Sequence, residues 1–149
     1  MTASYNQDAW ANDINAAKAA GIDGFALNIG PKDAWTEQQL DNAYAVADKL
    51  GFKMLISFDQ LCCGMWEVEH VTRLINKYKG RQSQFKVGGK PFVSTFEGTN
   101  FIEQWAQVRS QTGGIYLVPD WASLGPDGFK QHVGKVEGAC KLNFLHYLD

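Results

Sequence analysis

Four polar side chains stand at equivalent points in the sequence. Asn28 sits near the end of "DGFALNI", Asp59 closes "FKMLISFD", Glu97 follows "PFVSTF", and Asp120 comes just after "IYLV". In each case a short apolar run, which reads as a buried strand, gives way to a group that needs water or a partner. Carboxylates gathered on one edge can divide acid/base work. One protonated acid donates to a departing oxygen, while a second, ionised carboxylate activates water or attacks carbon. Among aromatic rings this suits cleavage of a glycosidic bond, and the separation of the two carboxylates decides between inversion and retention.

Each residue alone also has an ordinary reading. Asp120 can bond the backbone of the turn "PDWASLG", and the Asn28 amide can serve a neighbouring loop. Glu97-Gly98-Thr99-Asn100 can be loop and cap chemistry, with Asn100 the better cap. The coincidence of all four at strand ends argues for a shared cleft. Trp66 and Trp121 follow strand ends closely and could each floor a sugar site. Trp10, Trp35 and Trp105 read as packing. His70, His132 and His146 lie in helical or unassigned stretches, away from any Ser or Cys nucleophile. Cys62 and Cys63 come just after Asp59 without a basic neighbour to activate them, so burial is the expectation. No Cys-x-x-Cys or clustered His suggests a metal, and no Gly-rich loop suggests a nucleotide cofactor.

The elements that would position these groups repeat one grammar: amphipathic helix, glycine stop, apolar strand. A helix over 8–20 places Trp10, Ile14 and Ala17 on one face and stops at Gly21, before a strand over 23–29. A second helix starts at Thr36, with Gln39 completing a weak capping box. Its stripe is Leu40, Ala43, Tyr44, Ala47 and Leu50. Gly51 ends it, and the strand 52–59 follows. A third helix covers 67–78 and precedes the loop "KGRQSQFKVGGK" and the strand 91–96. A fourth covers 100–111 and precedes a strand over 115–118. Strands alternating with helices imply a parallel sheet, either open or a (β/α) barrel. Without a dinucleotide fingerprint, the barrel is the stronger reading. In barrel enzymes catalytic groups collect at the carboxyl edge of the strands.

The 149 residues are about one domain, and 45% hydrophobic content supports a real core. A net charge of −2 offers no pull toward nucleic acid or anionic lipid. The opening "MTASYNQDAW" lacks an apolar leader core, and no apolar run is long enough to span a bilayer.

The stretches "DAWANDINAAKAAGIDGFALNIG", "GFKMLISFD", "LINKY", "GKPFVSTFEG" and "VPDWASLGPDG" together resemble glycoside hydrolase family 71, the fungal α-1,3-glucanases or mutanases. The resemblance covers about residues 8–139. It implies a (β/α)8 barrel, secretion, and hydrolysis of α-1,3-glucan in fungal walls or of bacterial mutan, with inversion and without a cofactor. By motif, Asp59 matches an acid of the family's cleft, and Glu97, Asn28 and Asp120-Trp121 match its strand-end positions. The expected catalytic residues are Asp59 and Glu97. Asn28, Asp120, Trp121 and Trp66 are the expected substrate contacts.

Two departures stand against this. The family's first barrel strand is absent before 6–10, and its later segment with a further Asp and Glu is absent after 134–139. The expectation is therefore a partial (β/α)8 barrel of four to five βα units, with an irregular, unrelated tail at 140–149. Such a piece should be inactive alone and prone to self-association through its open sheet edges. A non-catalytic glucan-binding remnant is the alternative.

Overall fold

The computed structural model describes residues 2–62 and 64–140. Cys63, His146 and all but the first residue of the expected tail lie outside that range.

Asn6 begins helix α1 (Gln7–Ala19) by accepting the Ala9 amide at 2.9 Å, a side-chain N-cap. The helix buries Trp10, Ile14 and Ala17, the expected stripe. Strand β1 (Gly24–Ile29) follows. Helix α2 (Thr36–Leu50) ends on Gly51, whose φ of 64° is the left-handed cap that a glycine accepts without strain. The expected Thr36–Gln39 capping box does not form. Trp35 occupies the N-cap, and buried Gln39 instead accepts from the Trp10 indole at 3.0 Å while donating to the carbonyls of Ala3 and Tyr5. A tertiary demand for that amide outweighs the local cap.

Strand β2 (Lys53–Asp59), helix α3 (Val68–Tyr78), strands β3 (Lys86–Val87) and β4 (Lys90–Phe96), helix α4 (Gln104–Thr112) and strand β5 (Tyr116–Leu117) complete the repeat. Two features differ from the sequence reading. The stretch before β4 is a tight antiparallel hairpin, β3 against β4 across Gly88-Gly89. The fourth helix is preceded by a 3-10 turn, Thr99–Phe101, and Asn100 sits inside that turn rather than capping a helix. Gly98 stands at the N-cap instead, with φ 99°.

The parallel sheet runs β1-β2-β4-β5, with β3 antiparallel on β4. Every second strand residue, Met54, Ile56 and Phe58 of β2 with Val93 and Leu117, joins the helix residues Leu40, Tyr44, Leu74, Trp105 and Val108 in one buried cluster. The alternating residues Leu55, Phe92, Phe96, Tyr116 and Val118 are only half-buried. Phe92 and Tyr116 pair in register and stack at 5.7 Å on this second face. Parallel sheets are normally covered on both faces. This one is an open α/β sheet covered on one side, which is the arrangement of a partial (β/α) barrel.

Two predictions follow from local packing. A Cβ at Gly98 would run into Cβ and Cγ of Gln60, and the backbone there is left-handed. Gly98→Ala should cost about 1–2 kcal/mol from the backbone and about 1–3 kcal/mol from overpacking. A thermal melt of the variant unchanged from wild type would refute this.

The second concerns Glu37, which takes a two-pronged hydrogen bond from Arg73 at 2.7 and 2.9 Å, with Lys77 alongside. That hydrogen bond, with the Arg73 and Lys77 charges behind it, pulls the carboxyl down to about 2, against a smaller upward push from burial. A depressed carboxyl contributes stability above its unfolded value near 4.5 and loses it as pH falls toward 2. The side chains are 52% and 41% exposed, so the contribution is about 1 kcal/mol or less. Glu37→Gln should flatten a small part of the stability loss between pH 4.5 and 2, measured by denaturant melts at each pH.

Candidate active site

The registers bring the strand ends to one edge. Asn28 pairs with Ser57 on β2, Asp59 with Phe96 on β4, and Phe96 with Asp120 beyond β5. In-register residues of parallel strands share a face, so Asp59 and Asp120 flank Phe96 with backbones roughly 10 Å apart. Glu97 follows Phe96 directly, and its amide donates to the Asp120 carbonyl at 2.7 Å. The four tips predicted to share a rim do lie along one carboxyl edge.

Asp59 is held by three donors. Its Oδ1 accepts the amides of Leu61 and Cys62 at 3.0 and 2.9 Å, an Asx-type turn that a strand-end aspartate forms with the loop it starts. Its Oδ2 accepts from Asn28 Nδ2 at 3.2 Å. Two backbone amides thus hold Oδ1, while Oδ2 keeps acceptor capacity on the side facing Asn28. The backbone carbonyl of Asp59 is also pinned, by the Trp66 indole N–H at 2.8 Å.

Trp66 and Trp121 are each 3% exposed. Both rings are thus largely withdrawn from solvent, and Trp121 borders an apolar cavity of about 290 Å³ with Pro126 and Phe129. Trp66 lies edge-on to Phe58 at 5.0 Å inside the core cluster. Trp121 is tilted against Phe129 and edge-on to His132. Both pin strand tips: Trp66 the carbonyl of Asp59, and Trp121 that of Glu97 at 3.1 Å. A strand tip followed by an indole therefore reads as a backbone anchor as readily as a binding platform.

Glu97 has φ 54°, in the region costing a non-glycine residue about 1–2 kcal/mol. Its Oε1 accepts the Ser123 amide at 2.9 Å and its Oε2 the Ser123 hydroxyl at 2.5 Å. Asp120 is 3% exposed, and its own amide donates to the Thr95 carbonyl at 2.9 Å. Asp120 is therefore a rim residue whose access is closed in this state.

Other candidates separate clearly. Cys62 is exposed and disulfide-bonded, so the expected burial is not what holds it. His70 is half-buried against Trp66 at 4.9 Å, and burial, with the nearby Arg73 charge, pushes its imidazole below the ordinary value. Among the described residues no group of three or more His, Cys, Asp or Glu could hold a metal. Two residues escaped the sequence reading. Ser123 is tied to Glu97, but a serine in a turn gives no sequence signal. Trp35, read as packing, is only half-buried and lines a cavity of about 400 Å³ with Asn28, Trp10 and Leu27. That cavity runs beside β1 and does not reach Asp59.

The loop after Asp59 leaves Leu61 71% and Met65 66% exposed. The rim thus combines two partly exposed carboxylates, Asp59 and Glu97, an amide in contact with the first, and a partly apolar border. Such a set can position a hydroxyl-rich ligand and accept a proton from a hydroxyl or a water.

The family profile for glycosyl hydrolase family 71 matches residues 1–143. A mutanase of Penicillium rubens is 37% identical over 117 residues, covering 78% of this chain. A glucan endo-1,3-alpha-glucosidase of Schizosaccharomyces pombe is 33% identical over 146 residues, or 89% of this chain. An ascus wall endo-1,3-alpha-glucanase of the same yeast is 29% identical over 161 aligned positions. The aligned parts make up 26%, 34% and 37% of those relatives, so this chain is short beside them. With its parallel sheet and its strand-end acids on one rim, this chain belongs to glycosyl hydrolase family 71.

Proposed function

We propose that these residues serve the hydrolysis of α-1,3-glucosidic bonds in glucan by carboxylate acid/base catalysis, with Asp59 as a catalytic carboxylate. One observation carries the reading: Asp59 stands at the carboxyl edge of the sheet with Oδ2 turned to Asn28. Asn28 is then the residue that orients both Asp59 and a sugar hydroxyl. Asp120 stands two strands away. In this reading it borders the substrate cleft and is not the second catalytic carboxylate. Trp66 and Trp121 serve the site by holding strand tips. No cofactor is needed for this chemistry. The substrate is polysaccharide, and the working place is the cell wall, outside the cell, by analogy with the relative named for the ascus wall.

The domain is the partial barrel over 8–139. For the 149 residues alone we propose no turnover, because one sheet face is uncovered and half-exposed. An enclosed cleft needs that face covered. The same face and the open edges favour self-association of the isolated chain.

The test is release of glucose oligomers from insoluble α-1,3-glucan. A full-length polypeptide carrying this segment should release them, and the purified 149-residue chain should not. Binding of that chain to the glucan without cleavage, lost on Asn28→Ala, would instead favour a glucan-binding role. Release of nothing by the full-length protein would overturn the hydrolase reading.

A further inference from the structure

We infer that Glu97 is a positioning residue that latches the segment 120–123 to the end of β4, and is not a proton carrier. The inference rests on the proposed glucan-hydrolase reading for its catalytic readout.

Five hydrogen bonds converge on this one residue. Its amide donates to the Asp120 carbonyl at 2.7 Å. Its own carbonyl accepts from Thr95 Oγ1 at 2.8 Å and from the Trp121 indole at 3.1 Å. Its two carboxylate oxygens accept the amide and the hydroxyl of Ser123. Apart from the contact with Thr95, all of them run to residues 120–123, the most distant 26 positions along the chain.

The backbone explains how this is possible. Among the described residues Glu97 is the non-glycine with positive φ, at 54°, and Gly98 follows at 99°. This left-handed pair turns the chain away from the strand direction directly after Phe96. A strained conformation at a non-glycine residue persists only where its surroundings hold it in place. Here the indole, the threonine hydroxyl and the serine do so.

Ser123 has its own need for this partner. Its amide lies in the 3-10 turn Ala122–Leu124, where the first N–H groups lack helical acceptors. Glu97 supplies that acceptor from just beyond the end of β4. An amide N–H can only donate, so Oε1 is committed as an acceptor. A general acid must present its proton to the leaving oxygen. Oε2 also accepts, from the Ser123 hydroxyl, so the segment 120–123 engages both carboxylate oxygens of Glu97. The latch instead fixes the Asp120 carbonyl and the Trp121 indole against the end of β4.

The experiment compares Glu97→Gln, Glu97→Ala, Ser123→Ala and the Glu97→Ala/Ser123→Ala double variant in the full-length polypeptide. It reads kcat, KM, the pH–rate profile and the near-ultraviolet tryptophan signal. Glutamine keeps an acceptor for the Ser123 amide and can donate to its hydroxyl. It should hold kcat within about threefold and leave both limbs of the pH profile in place. Glu97→Ala should lower kcat/KM by about tenfold or more through misplacement. Adding Ser123→Ala to it should cost little further, because the two act as one unit.

A fall of about 10²-fold or more in kcat for Glu97→Gln, with the tryptophan signal unchanged, would make Glu97 a proton carrier and overturn the inference. If Glu97→Ala does not fold, Glu97→Gln and Ser123→Ala still decide. Wild type without glucan hydrolysis would sink the functional reading instead. The latch is then read from the tryptophan signal, which Glu97→Ala and Ser123→Ala must alter non-additively and Glu97→Gln must preserve. No change in any of them would end it.

Discussion

Replacing Asp59 with Asn is expected to lower turnover of α-1,3-glucan by the full-length polypeptide by about 10²- to 10⁴-fold, with little loss of stability. The substitution is nearly isosteric, and the side chain is at the rim rather than in the core. The asparagine carbonyl can still accept the amides of Leu61 and Cys62, so the turn that starts the loop should persist. What changes is the other oxygen. In place of Oδ2 the variant presents an amide N–H₂, which meets the Asn28 amide donor head-on and cannot take a proton from water. KM should change less than kcat, because the lost function is used in the transition state. Kinetics on soluble α-1,3-glucan oligosaccharides, beside a thermal melt, provide the check. A variant with near-normal kcat and an intact fold would remove Asp59 from the chemistry.

Trp66→Ala should be among the most destabilising single changes at the rim. The ring is 3% exposed and lies edge-on to Phe58, which itself packs against Trp105. Emptying such a site costs about 3–5 kcal/mol, a large share of the roughly 5–15 kcal/mol that holds a typical domain together. The indole N–H bond to the Asp59 carbonyl goes with it, so the end of β2 loses its anchor. Trp66→Phe separates the two effects. It keeps an aromatic ring in the core but not the donor, and the unsatisfied carbonyl should cost about 1–3 kcal/mol. The expected order of melting temperature is wild type, then Trp66→Phe, then Trp66→Ala. If alanine melts with wild type, Trp66 is not part of the core. If Trp66→Phe binds or cleaves glucan less well at full stability, the anchor on Asp59 matters to the site independently of the fold.

Self-association of the isolated chain is a milder expectation with the same origin. The half-buried row Leu55, Phe92, Phe96, Tyr116 and Val118 gives one sheet face an apolar character that water tolerates poorly. Sizing over a range of concentrations should show species larger than a monomer. A monomer at every concentration, with a cooperative melt, would count against it.

Much of the architecture was legible because short-range patterns carried it. The stripe Trp10, Ile14, Ala17 and the stripe Leu40, Ala43, Tyr44, Ala47, Leu50 each announced one inward helix face, and all of these residues are buried except the half-buried Leu50. The apolar runs before Asn28 and Asp59 announced strands. Their alternation with helices announced a parallel sheet, and that is what forms. The coincidence of polar groups at strand ends was equally readable, because a parallel βα repeat returns every strand end to the same edge. Periodicity and glycine stops are local properties, and local properties survive in the sequence.

The roles of those rim residues were a tertiary matter. Gln39 looked like half of a capping box until Trp10, Ala3 and Tyr5 claimed its amide. Trp66 and Trp121 looked like sugar platforms, yet both rings are buried and their N–H groups point to strand-tip carbonyls. Nothing in "STFEG" announces that Glu97 turns left-handed and closes on a serine 26 residues away. Sequence alone determined that acids and amides would collect at one edge of a parallel sheet. Only the folded chain decided which of them stay accessible, because accessibility depends on contacts between segments far apart in sequence, and no local pattern encodes those.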